Sequence, residues 1–433
     1  MIWASKLKVA IISDLHLGSK WESERQQDPF DQARDAFDSA LGLGAELILV
    51  PGDIFDDRIP RQEVWAHAMR ILSLTQGKEG SGLKFIDTIG KDEKEIPKAL
   101  FRGVPIIAVH GNHERRSVDL VDPIEMLEAA GLVIRLNRGV VLLDTPAGKV
   151  AIHGIGYVPE EHIGDVVEIW NPRPIEDAFN VLMIHQSLGQ FVHSEKEEPA
   201  LTPETLPEGF DLYICGHVHY HSETEARGSP LLFPGSTFRT QLLPIEAEVP
   251  KGFFMLDLGD SELSYEFEKL GSVRDFYYEE KTFNRATVAQ IESWIENKIE
   301  EKLKDQRKNT EKLPIVRFRL QGSLAKGSAR SHLNVEELKK KFAEKILLEI
   351  SKHELTSPEL EEKTKFLKDL SEKQVPIEEI AMEILMSNLK EMNYDGVFDV
   401  RALYELLSEN KGDRAFNMVS DVIDKLTESE LGE

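Results

Sequence analysis

Five short apolar runs in the first half of this sequence each end on side chains that can bind a cation. Leu7–Ser13 is followed by Asp14 and His16, Leu47–Val50 by Pro51-Gly52-Asp53, and Val104–Val109 by His110-Gly111-Asn112-His113-Glu114. Val181–Ile184 ends on His185, and Leu212–Cys215 on Gly216-His217-Val218-His219. Carboxylate, amide and imidazole donors with no thiolate cluster suit Mn²⁺, Fe²⁺ or Zn²⁺ in a working site better than a structural zinc. Singly, each signal is ordinary: Gly-Asp after a strand is more often a turn, and Asp-x-His a loop cap. His217-x-His219 is stronger, because alternation along a strand puts both imidazoles on one side. Together, and each at a run's end, they describe one site outside the carboxyl edge of a sheet, where α/β folds bind ligands. Glycines beside Asp53, Asn112 and His217 leave room for backbones to crowd a cation pair.

The elements that must position these side chains are legible from periodicity. The runs are too short and too β-branched for helices and read as buried strands. A helix begins at Pro29, with Phe30, Ala33, Phe37, Ala40 and Leu41 on one face, and others lie near Arg61–Leu74 and Asp122–Ala130. Strand–helix alternation giving way to a strand-rich half predicts a mixed α/β fold, a β-sandwich flanked by helices. Gln76–Pro97 reads as a solvated excursion between elements. We divide the chain into residues 1–270, a second small α/β unit over 271–352, a charged linker over 353–376, and a helical segment over 377–433. In the second unit helices are expected over Val288–Leu303 and Val335–Ile350.

The five motifs resemble those of the calcineurin-like metallophosphoesterases. Asp14-Leu15-His16-Leu17-Gly18, Gly52-Asp53-Ile54-Phe55, Met183-Ile184-His185-Gln186 and Phe233-Pro234-Gly235-Ser236 further resemble double-strand-break repair nucleases of the meiotic-recombination-eleven type. Carried over to this sequence, the resemblance implies that Asp14, His16 and His219 hold one divalent ion, Mn²⁺ in most members. Asn112, His185 and His217 hold a second, and Asp53 bridges the two. It implies a catalytic His113, able to protonate a leaving oxygen, and endonuclease and 3′–5′ exonuclease action on DNA ends, hairpins and single strands. It also implies a homodimer, through helices that here carry Trp65 and Met126, and an SMC-like coiled-coil ATPase as partner. The position three residues after the bridging Asp, often His and tied to exonuclease action, is Asp56 here. A carboxylate cannot donate to a phosphate at neutral pH; it reads either as a change in that activity or as a loop cap with Asp57. A phosphatase or cyclic-nucleotide phosphodiesterase, and a non-cleaving DNA scaffold, are the competing readings.

Composition sets limits. The 433 residues carry 52 basic and 77 acidic side chains, a net charge of −25, which repels polyanions at long range. The stretch Lys302–Arg330, with nine basic and two acidic residues, answers this locally, and Arg317, Arg319 and Lys326 are its candidate phosphate contacts. Ile380, Ile384, Leu385 and Leu407 lie on helical faces too short to bury themselves and read as the partner-binding surface, implied to grip the ATPase. The lone Cys215 reads as a small core residue, and His110, His153 and His193 as packing or loop residues. One cysteine, no apolar run long enough for a membrane helix and no secretory h-region together predict a cytoplasmic protein.

Overall fold

A computed structural model describes residues 6–77, 82–117, 120–192, 198–259, 262–304, 311–357, 399–408, 411–412 and 414–420, together with residues 379, 382, 385 and 386. The chain divides into two compact units. One comprises residues 1–280, 296–319 and 335–350; the other comprises 281–295, 320–334 and 351–433.

In the first unit, the runs Leu7–Ile11 (β1), Leu47–Val50 (β2) and Ile106–Ala108 (β4) are parallel neighbours, extended by Ile134–Arg135 (β5). On the other side of β1 lie Gly252–Gly259 (β12) and then Glu262–Lys269 (β13), both pairing antiparallel, which completes a six-stranded sheet. At the centre of a second, seven-stranded sheet Gly148–Ile155 (β7), Ala178–His185 (β8) and Leu212–Gly216 (β9) are parallel. Gly139–Thr145 (β6), Ser222–Ala226 (β10) and Ser229–Phe233 (β11) complete it with the edge strand Lys84–Ile89 (β3). Its order is β10-β11-β9-β8-β7-β6-β3.

The inner faces meet in one core. Leu7, Val9, Ile11, Leu47, Leu49 and Ile107 pack against Val141, Val150, Ile152, Val181, Met183, Leu212 and Ile214. Strands buried on both faces show no polar alternation, which is why they read as continuous apolar runs. The outer face of the first sheet is covered by Asp28–Gly42 (α1), Gln62–Leu72 (α2) and Pro123–Ala129 (α3), through Phe30, Phe37, Val64, Ala68, Ile124 and Leu127. Glu160–Trp170 (α4) covers the second sheet over Leu182, Tyr213 and Leu231. The result is the helix-flanked β-sandwich that the patterning implied.

Two expectations fail. The stretch 76–97 is not a plain excursion, because it contains β3, which pairs antiparallel with β6. As an edge strand it keeps Lys84, Ile86 and Asp87 exposed, so its sequence carries no clean alternation. Farther along, the helix Val288–Lys302 (α5) forms where it was expected. The helix expected over Val335–Ile350 stops early: Val335–Phe342 (α6) gives way to the strand Leu347–Thr356 (β16). The apolar run Ile346-Leu347-Leu348 is buried as strand rather than as the end of a helix. This strand belongs to a three-stranded sheet with Phe276–Ala286 (β14) and Ile315–Leu324 (β15). Val400–Ser408 (α7) is a defined helix of the C-terminal region, and residues 414–420 are helical as well.

Candidate metal centre

β1, β2 and β4 are parallel in the first sheet, β8 and β9 are parallel in the second, and the residues that end or follow all five strands converge at one place. The loops leaving them are tied together. Asp14 N donates to Gly52 O at 3.2 Å and His16 N to Asp53 O at 3.0 Å, while His217 N donates to Asp14 Oδ1 at 3.2 Å. Four of the donors take backbone conformations that cost an L-residue energy: Asp14 (φ 52°), His16 (φ 44°), Asp53 (φ 53°) and His217 (φ 82°). Each costs on the order of 1–3 kcal/mol, which is retained where function needs the geometry. Crowding is severe enough that only glycine fits at two neighbours. A Cβ on Gly52 would sit 2.2 Å from His185 Nδ1, and one on Gly111 1.9 Å from Asp53 Oδ1.

All seven predicted donors converge. Ligand atoms of Asp14, His16 and His219 lie within 4.8 Å of one another, as do those of Asp53, His185 and His217. His16 Nε2 is 2.9 Å from His219 Nε2 and 3.7 Å from Asp53 Oδ2. His185 Nε2 is 3.3 Å from the same Asp53 oxygen and 3.2 Å from Asn112 Oδ1, which is 3.0 Å from His217 Nδ1. Asp53 thus stands between the two groups. His16, Asp53 and His113 form a third cluster within the same 4.8 Å limit.

The outer partners fix which nitrogen faces inward. His185 Nδ1 donates to Pro51 O at 2.7 Å, and His16 Nδ1 donates to Asp56 Oδ1 at 3.0 Å. His219 Nδ1 lies 2.6 Å from Thr240 Oγ1. In the neutral ring a proton on Nδ1 leaves the Nε2 lone pair free, so these imidazoles aim acceptors at a common point. Asp53 Oδ2 is buried there, and among the described residues the groups nearest it are the Nε2 atoms of His185 at 3.3 Å and His16 at 3.7 Å, which can donate to it only from a doubly protonated ring. Acceptors facing one another around an orphaned carboxylate oxygen are unfavourable unless a cation joins them. The residues present therefore fit a divalent pair.

The electrostatics agree. Burial would raise Asp53, but the positive field of His185 and His16 holds it well below the usual carboxylate range. Burial would lower His185, but Asp53 and Asp14 outweigh it and push it up to about 9. Glu114, fully buried, is raised to about 8 by burial first and Asp53 second, although Gly111 N and Phe55 N donate to it at 2.9 and 2.8 Å. A cation must displace the His185 proton, so metal uptake releases a proton below pH 9. Apparent Mn²⁺ affinity should climb with pH up to about 9 and fall roughly tenfold per unit below it from this group. Calorimetric titration in buffers of different ionisation enthalpy checks the proton count.

Asp56 is not a loop cap. Its carboxylate orients His16 and lies 3.7 Å from His113 Nδ1. Asp56→Ala should weaken Mn²⁺ binding about 10–100-fold, as removal of an outer partner does. Asp56→Asn, which still accepts from His16, should lose much less; isothermal titration reads both.

His113 donates from Nδ1 to Asp56 O at 2.8 Å, which leaves Nε2 to exchange a proton. Its side chain is partly exposed and, with Asp56, Asp57, Arg58, Ile59 and Asn112, lines an open cleft of about 420 Å³. A phosphoester entering by this cleft meets His113.

A model of the calcineurin-like phosphoesterases matches residues 7–221, the stretch that supplies every one of these donors. This domain belongs to that family. The chain is also 28% identical over 283 residues to the DNA double-strand break repair protein Mre11 of Methanopyrus kandleri, covering 60% of this chain and 56% of that protein. It is 24% identical over 360 residues to the double-strand break repair protein MRE11 of Homo sapiens, covering 72% and 50%, and 24% identical over 339 residues to that of Macaca fascicularis, covering 69% and 47%. The chain spans about half the length of the curated relatives it matches.

Several residues around the phosphoesterase centre give no sign of their role in the sequence. Glu114 closes one of the five motifs, but its grip on two loops depends on folding. Thr240, Glu246 and Lys251 have no sequence signal, because Thr240 and Lys251 reach His219 from segments more than twenty residues along the chain, and Glu246 reaches Lys251. Cys215, His110 and His153 are buried, as expected of packing residues. Burial pushes the Cys215 thiol up and His110 and His153 down to about 4. His193 lies outside the described residues, as do Ile380 and Ile384. Leu385 is helical and half-buried, and Leu407 is exposed on α7. Trp65 is half-buried on α2 and packs against the core, while Met126 on α3 is exposed.

The local basic surplus is less available than its residue types imply. Lys302 pairs with Glu279 at 3.0 Å and Lys312 with Asp31 at 2.7 Å; Arg319 lies 3.7 Å from Glu280. Arg317 Nη1 donates to the carbonyls of Gln241 and Leu242. The segment's own sequence hides these partners because they come from other segments. Lys326 is exposed and lies in the other unit. Among the described residues no helix is long and apolar enough to cross a membrane.

Proposed function

We propose that the chain is a two-metal DNA nuclease, with Mn²⁺ as its natural ion, which processes double-strand breaks. The observation that carries this is the buried, orphaned Asp53 Oδ2 encircled by inward-facing imidazoles and open to solvent at His113. The relatives are double-strand break repair proteins, which supplies DNA breaks as the substrate. Asp14, His16 and His219 would hold one ion and Asn112, His185 and His217 the other, with Asp53 between the two groups. Two such ions supply charge neutralisation on a phosphodiester and activation of the attacking water. Pro51 O, Asp56 and Thr240 keep the imidazoles turned inward, and burial of the donors excludes competing water. His113, positioned through Asp56 O, gives a proton from Nε2 to the departing oxygen. Because Asp56 is committed to His16, it supplies no phosphate donor, which favours endonuclease over exonuclease action.

Residues 271–352 then serve as a DNA-facing capping domain, 353–376 as a linker and 377–433 as the docking segment for an SMC-like coiled-coil ATPase, with a homodimer formed through the helices of Trp65 and Met126. A protein with these partners works in the cytoplasm, on the nucleoid. The test is cleavage of end-labelled duplex and hairpin DNA with Mn²⁺ or Mg²⁺ beside hydrolysis of p-nitrophenyl phosphate esters. Turnover of the esters with intact DNA would replace the nuclease with a phosphatase. The double variant Arg319→Glu, Lys326→Glu should weaken DNA binding and reduce the slope of log affinity against log salt by about 1 for each phosphate no longer neutralised. Hydrolysis of a small diester should be unchanged in it.

A further inference from the structure

We infer that Arg317 is a positioning residue for His219, acting through loop 239–243, so that the segment carrying β15 sets cation affinity at the Asp14–His16–His219 group. The inference rests on the metal reading above and deepens it.

His219 is held at both ends. Its ring nitrogen Nδ1 meets Thr240 Oγ1, and its carbonyl accepts from Lys251 Nζ at 2.6 Å. The buried Lys251 ammonium also donates to Ser236 Oγ at 2.8 Å and pairs with Glu246 at 2.6 Å. Glu246, itself buried, gathers the loop: Thr240 N and Gln241 N donate to it at 3.1 Å, and Leu243 N at 3.3 Å. The loop's N–H groups thus face the Glu246–Lys251 pair, whereas its carbonyls at Gln241 and Leu242 face Arg317 Nη1, at 2.7 and 3.1 Å.

Leu242 sits at φ 58° and is buried with Phe276, Ile315 and Leu347. A left-handed leucine persists only where its surroundings over-determine it, and Arg317, which donates to the carbonyls of Gln241 and Leu242, contributes to this. Without its fork, two carbonyls lose their donor and the strained residue relaxes. Thr240 then leaves Nδ1, and the His219 ring is free to turn. Binding linkage is reciprocal, so a cation on His219 also tightens the loop against β15. Arg319, two residues along the same strand face, lies 3.7 Å from Glu280 and serves as the neighbouring control.

The test is Mn²⁺ titration of the full chain by calorimetry, with thermal melts confirming folding. Arg317→Met keeps the apolar stem and removes the donors. It should weaken one of two Mn²⁺ sites about 10–100-fold and leave the other unchanged. Thr240→Val should do the same, and the double variant should be no worse than either, as expected of one shared route. Arg317→Lys should recover part of the loss and Arg319→Ala should show none. At saturating Mn²⁺, kcat on bis-p-nitrophenyl phosphate should return to the wild-type value. Unaltered Mn²⁺ affinity in either Arg317→Met or Thr240→Val overturns the loop route, as does equal weakening of both sites. Weaker DNA binding in EDTA with unaltered Mn²⁺ affinity makes Arg317 a phosphate contact instead. A wild-type chain that takes up no Mn²⁺ overturns the metal reading itself.

Discussion

Asp53→Asn loses metal and turnover together. The substitution keeps the side chain's shape but removes the charge that holds His185 up at about 9 and neutralises the inward-facing donors. An amide also places N–H where Oδ2 stands 3.3 Å from His185 Nε2 and 3.7 Å from His16 Nε2, so a hydrogen-bond donor replaces a ligand oxygen. Removing an outer partner costs about 10–100-fold in affinity, and removing the carboxylate that stands between the two donor groups should cost more than ~100-fold. The clearest readout is thermal. Mn²⁺ at about 100 times its dissociation constant stabilises a folded chain by about 2.7 kcal/mol, a shift in Tm that the wild type should show and Asp53→Asn should lack. A Mn²⁺-dependent rise in Tm equal to that of the wild type in this variant would contradict the central role of Asp53.

His113→Ala separates chemistry from binding. Asp53 is contacted by the backbone N–H of His113 at 3.1 Å, not by its ring, so truncation leaves that hydrogen bond in place. Metal affinity should remain near that of the wild type. What disappears is the nitrogen held by Asp56 O at the mouth of the cleft. General acid catalysis contributes about 10²–10⁴-fold, and kcat on a diester with a poor leaving group should fall by that factor. A diester with a good leaving group, which needs no proton, should lose far less. Equal losses on both substrates would assign His113 to binding rather than to proton transfer.

The two variants also explain why the sequence could be read as far as it was. Donor type and position after a strand are local properties, so Asp14, Asp53, Asn112, His185 and His217 could be picked out without coordinates. The buried strands that carry them are covered on both faces and therefore show as apolar runs. The edge strand Lys84–Ile89, where Phe85 packs against the core while Lys84, Ile86, Asp87 and Ile89 are exposed, did not. Asp56 shows the opposite limit: its type was visible, but its role was set by His16, 40 residues away in sequence.

What the sequence determined by itself is the donor set and its place at strand ends, because these follow from residue type and from continuous apolar runs; the phosphoester chemistry came from the resemblance of the five motifs to a known family. Only the tertiary structure decided which imidazole nitrogen faces inward, that Asp53 stands between two groups, and that Lys302, Lys312 and Arg319 have acidic partners. Those facts depend on the meeting of residues far apart in the chain, such as His219 with Thr240 and Arg317 with Leu242, and no local pattern encodes a distance in space.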